Sequence, residues 1–65
     1  MARATILEFS QQGFGKLQLD TGETYSFDVV VCDTMEITPG DTVDVVIKEL
    51  AGRILVREVR FDKLK

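Results

Sequence analysis

The sequence predicts an all-β fold, a small barrel of five antiparallel strands. Three observations carry that prediction. Five short runs are rich in β-branched and aromatic residues, and each is bounded by turn formers. No apolar pattern of helical period persists for three turns. At 65 residues the chain makes one small domain, which buries only about 60% of its extended surface. Closing the sheet on itself hides the strand faces and removes most of the exposed edges.

The runs follow in order. "ATILEF", residues 4–9, opens with the apolar pattern of a strand, and "SQQG" is a polar turn. "FGKLQL", residues 14–19, alternates strictly: Gly15, Leu17 and Leu19 share one face, and Phe14, Lys16 and Gln18 the other. "DTGE" reads as a tight hairpin with Gly22 at positive φ. The third run is "TYSFDVVVC", residues 24–32, with Tyr25, Phe27 and Val29 on one face and Ser26 and Asp28 on the other. "DTMEITPGD" is a connection that holds the only proline and a Pro39-Gly40 turn. "TVDVVIKEL" and "RILVREVRF" form a last hairpin around Ala51-Gly52. OB-type and SH3-like barrels both accommodate this pattern, and periodicity does not separate them.

Composition narrows the setting. Hydrophobic residues make up 45% of the chain and charged residues 29%, a globular balance. No apolar run approaches the roughly 20 residues that cross a bilayer, and "MARATILEF" lacks the apolar core of a signal peptide. Cys32 is the only cysteine and there is no histidine, so neither an internal disulfide nor a zinc site is expected. The expectation is a soluble cytoplasmic protein without membrane contact, metal or other cofactor.

The net charge of −3 is unevenly spread. Between Gln18 and Ile47 stand Asp20, Glu23, Asp28, Asp33, Glu36, Asp41 and Asp44, with no base among them. From Lys48 onward Arg53, Arg57, Arg60, Lys63 and Lys65 join Lys48, against Glu49, Glu58 and Asp62. An acidic middle works against phosphate binding, whereas the basic end offers a partial footprint for it. The two charge blocks could also pair with each other, within one chain or between two copies.

The order of motifs resembles a cold-shock domain from Ala4 to about Val59. "TILEF-SQQ-GFGKL" is similar to that family's first strand, short turn and first RNA-binding motif (Lys-Gly-Phe-Gly-Phe-Ile). "SFDVV" stands where a second motif of the type Phe-Val-His-Phe falls. "PGDTVDVVI" and "AGRILVREV" resemble the family's fourth strand and its glycine-bearing turn and fifth strand. The resemblance implies an OB-type barrel that stacks single-stranded DNA or RNA on outward rings. Phe14 matches one such ring. The family's tryptophan is Glu8 here, and its second phenylalanine is Lys16. The second-motif phenylalanine and histidine fall at Ser26 and Asp28, although a one-residue slip would turn Phe27 outward instead.

Two functions from different classes follow. One is a weak, salt-sensitive single-stranded nucleic-acid binder using Phe14, Lys16, Phe27, Arg57 and Arg60. The other is a protein-interaction or self-association module, a homodimer included, on a scaffold that has lost most of its stacking rings. Four lost rings at about 1–3 kcal/mol each remove about 4–12 kcal/mol, against about 8 kcal/mol for a whole micromolar complex. Lys16 also faces an ion pair with Glu8 on the neighbouring strand. Gly13 and Gly15 are read as easing strand curvature, and Cys32 as a small apolar packing residue. The loop acids do not follow an EF-hand pattern, and no constellation supports an enzyme. The chain is taken as one domain over residues 1–65, with residues 60–65 a short C-terminal extension that could lie across the barrel or a second copy.

Overall fold

A computed structural model describes residues 2–62. The chain runs β1 (Ala2–Phe9), β2 (Phe14–Leu19), β3 (Thr24–Asp28), a single 3₁₀ turn (Val29–Val31), β4 (Thr42–Leu50) and β5 (Arg53–Phe61). The strands lie in the sheet order β3-β2-β1-β4-β5, and every neighbouring pair is antiparallel. A parallel bridge between Cys32 and Val59 carries the chain after β3 onto β5. There the Asp33 N–H donates to the Val59 carbonyl, and the Phe61 N–H to the Asp33 carboxylate, each at 3.1 Å. The barrel is thereby nearly closed and consistent with the OB type, with β1 paired on both sides.

The core is one cluster: Ala4, Ile6, Leu17, Leu19, Phe27, Val43, Val45, Val59 and Phe61. These are inward positions of strand alternation on all five strands, Val59 and Phe61 coming from β5, so period-two patterning places most of the apolar surface inside. At the far end of the last hairpin, Ala51 and Gly52 both have positive φ (54° and 78°) between the paired Leu50 and Arg53. That is the two-residue loop whose twist suits a hairpin.

Two boundaries differ from the sequence reading. β1 starts at Ala2, because Ala2 and Arg3 pair with Val45 and Asp44. Arg3 then bridges to Asp44 at 2.9 Å and to Asp62 at 2.6 Å, while the Thr42 hydroxyl donates to Asp62. The third run does not stay extended to Cys32. The Asp28 carboxylate accepts from the Val30 N–H at 3.1 Å, and Cys32 N–H closes on the Val29 carbonyl. A local cap thus overrides the strand preference of three valines, leaving Val30 exposed. Arg60 and Phe61 complete β5, as the run "RILVREVRF" predicts, rather than opening the extension, and Phe61 is a core residue opposite Val43. Lys63, Leu64 and Lys65 lie outside the described residues.

Candidate nucleic-acid interface

The face formed by β3, β2 and β1 depends on one irregularity. Ile6 pairs with Leu17 and points inward, and Glu8 pairs with Lys16, so Leu7 is the extra residue of a β-bulge. Without the bulge Glu8 would share the buried face of Ile6, two residues away. With it, Glu8 turns outward while Phe9 returns inward opposite Gly15. The outer row across the three strands is therefore Glu8, Lys16 and Ser26. Phe14 is one outward position earlier on β2, opposite Asp28.

Phe14 is 58% exposed. It leaves the turn through Gly13, whose φ of 95° suits a residue without a Cβ. The Ser10 N–H donates to the Phe14 carbonyl at 2.8 Å and fixes the Phe14 backbone at the mouth of the β1–β2 turn. Beside it opens a cleft of about 480 Å³ lined by Glu8, Phe9, Ser10, Gly15, Lys16 and Ser26. Lys16 Nζ lies 3.8 Å from the Glu8 carboxylate, a loose, solvated ion pair.

Gly15 allows the floor of this cleft. A Cβ on it would fall 2.7 Å from Phe27 Cζ and 2.8 Å from the Glu8 carbonyl oxygen. The Phe27 ring thus packs directly under the β2 backbone, stacked on Phe9 with centroids 6.1 Å apart. Phe27 is accordingly buried and cannot serve as an outward stacking ring: β3 keeps Phe27 inward and Ser26 outward. Asp28 faces the same side as Phe14, but its carboxylate is engaged in capping the following turn.

The basic candidates stand elsewhere. Arg57 and Arg60 are on β5, which is not a sheet neighbour of β2, and neither lines the cleft. Arg60 donates to Glu58 at 2.7 Å, and this hydrogen bond holds the Glu58 carboxyl below its usual range. The structure brings together Phe14 and Lys16, and adds Glu8, Ser10 and Ser26 to them. The sequence reading missed Ser10 and the bulge, although the broken alternation of Ile6-Leu7-Glu8-Phe9 marks the bulge.

Among the described residues no cluster of histidine, cysteine or carboxylates could hold a metal, and no helix is long and apolar enough to cross a membrane. No family model, curated protein or solved structure matches the chain. Fold and face define a class: a small, nearly closed antiparallel barrel, compatible with OB-like architecture, with an exposed ring beside a shallow cleft on its β1–β2–β3 face.

Proposed function

We propose that the chain is a cold-shock-like module that binds single-stranded nucleic acid weakly through the β1–β2–β3 face. The observation that carries this reading is Phe14, a ring more than half exposed on a strand, beside an open cleft with a lysine on its rim. An exposed ring on a sheet is a stacking platform that tolerates any base, and the lysine supplies phosphate or base contact. One ring and one paired cation keep the affinity weaker than micromolar, since a single stack contributes about 1–3 kcal/mol. The lone cysteine, half-buried and unbridged, fits a reducing compartment such as the cytoplasm.

The test is a fluorescence titration of labelled single-stranded DNA and RNA at low and at physiological salt. Binding should weaken with salt, and Phe14→Ala should lower affinity about 5-fold or more. Absence of binding at low salt, or binding indifferent to Phe14→Ala, refutes the reading.

A second reading, a protein-interaction or self-association module, is favoured by a different feature. Leu50, Ile54 and Leu55 are all exposed near the tip of the β4–β5 hairpin. A small barrel gains stability by covering such a ribbon. A dimer mass in light scattering, abolished by Ile54→Lys with Leu55→Lys, would support it.

A further inference from the structure

The Glu8–Lys16 pair sits on the rim of the Phe14 cleft, and its chemistry is selective in a way that a stacking ring is not. Glu8 presents two acceptor oxygens and Lys16 a donor, side by side across neighbouring strands at 3.8 Å. Both side chains are well exposed, 65% and 59%. Directly opposed residues on one sheet face have Cβ atoms about 5 Å apart. Phe14 lies two residues from Lys16, about 7 Å along the strand, a separation comparable to the length of a purine. A base stacked against Phe14 and lying over Gly15 would turn one edge toward Glu8 and Lys16.

Glu8 is an unhelpful residue for a surface that only tracks phosphate, because a carboxylate repels it. It is useful where base donors have to be accepted. The bulge at Leu7 is what puts it on this face, and bulges commonly re-aim a side chain at a site. We propose, resting on the nucleic-acid reading above, that Glu8 and Lys16 make this face prefer guanine. Guanine carries two adjacent donors, N1–H and N2–H, next to the O6 acceptor. That order is the complement of a carboxylate beside an ammonium. Adenine and cytosine offer one amino donor beside a ring-nitrogen acceptor and satisfy the pair in part. Thymine and uracil set a single N–H between two carbonyl oxygens, which face the carboxylate unfavourably. Ser26 and Ser10, whose hydroxyls both donate and accept, adapt to any of them.

The experiment measures the whole chain against short oligothymidine strands that are unsubstituted or carry one central guanosine, adenosine or cytidine. The guanosine strand should bind at least about 5-fold tighter than oligothymidine, the lower end of what a bidentate base contact discriminates. Glu8→Gln keeps the side-chain shape and removes the charge, so it should strengthen oligothymidine binding and abolish the guanosine preference. Lys16→Gln should narrow the preference, and Phe14→Ala should weaken all strands alike. Equal affinities for the four strands, or a preference that survives Glu8→Gln, overturn the guanine assignment and leave the binding module standing. Failure of every strand to bind at low salt overturns the module and the assignment together.

Discussion

Gly15→Ala tests the packing argument that underlies both the fold and the face. The added methyl would meet Phe27 Cζ at 2.7 Å, Phe27 Cε1 at 2.9 Å and the Glu8 carbonyl oxygen at 2.8 Å. Ordinary contacts to carbon lie near 3.5–4.0 Å, so nearly an ångström has to be found. The Phe27 ring cannot swing freely, because Phe9 is stacked against it at an interplanar angle of 17°. The Glu8 carbonyl belongs to the β1 backbone, which the paired ladder holds. Overpacking of this kind costs about 1–3 kcal/mol. The alanine restricts the unfolded chain and returns about 0.4–1 kcal/mol, leaving a net loss of about 1–2 kcal/mol. A domain of this size has about 3–10 kcal/mol in all. In urea, with a slope of about 1 kcal/mol/M for a small protein, the midpoint should fall by about 1–2 M. Phe27→Leu costs stability of its own, but in that background Gly15→Ala should cost less, because the ring atoms in conflict are gone. An unchanged or raised midpoint in Gly15→Ala would refute the close approach of β2 to Phe27.

Two further predictions rest on single residues. Ala51 holds a left-handed φ of 54° at a hairpin position that favours asparagine; Ala51→Asn should add about 0.5–1 kcal/mol and raise the melting temperature by a few degrees. Burial, with Asp33 and Asp28 nearby, pushes the Cys32 thiol up from 9.0 to about 11. A hundredfold smaller thiolate fraction, partly offset by the stronger nucleophilicity of a more basic thiolate, should slow alkylation near neutral pH at least about tenfold relative to the urea-unfolded chain. The sign for stability is the same: the folded thiol titrates above the unfolded one, so its contribution is intact below about pH 9 and is lost as pH rises toward 11. Cys32→Ala should remove that alkaline component, seen as a difference between the two stability–pH curves.

The fold was legible where alternation is strict and turns are marked by glycine. β2 matches its expected bounds residue for residue, and so do β4 and β5. The reading went astray where local hydrogen bonding competes with strand preference. Val29, Val30 and Val31 favour a strand by type, but Asp28 before them can cap a turn and does. Phe61 shows the opposite limit. Counted from the family resemblance it lies past the barrel, yet its partner Val43 makes it a core ring. Sequence patterning gives the face of a residue more readily than its strand's length, because length depends on which neighbour is present to pair with it.

The face was legible in part for the same reason. Phe14, Lys16, Ser26 and Asp28 follow from period two alone, and Phe27 falls inward on that register. Glu8 does not follow so simply, since strict alternation from Ile6 would bury it and no buried carboxylate is tolerated without a partner. The bulge at Leu7 resolves that conflict: it spares the core a charge, returns Phe9 to stack on Phe27, and sets a carboxylate beside Lys16. Stability and the proposed recognition therefore share one irregularity. Deleting Leu7 would restore strict alternation and force a choice between a buried Glu8 and a broken β1–β2 register. Replacing Glu8 alone leaves the bulge to Leu7 and Phe9 and touches only the chemistry of the cleft. That separation is why substitutions at Glu8 can test the proposed base preference without disturbing the barrel.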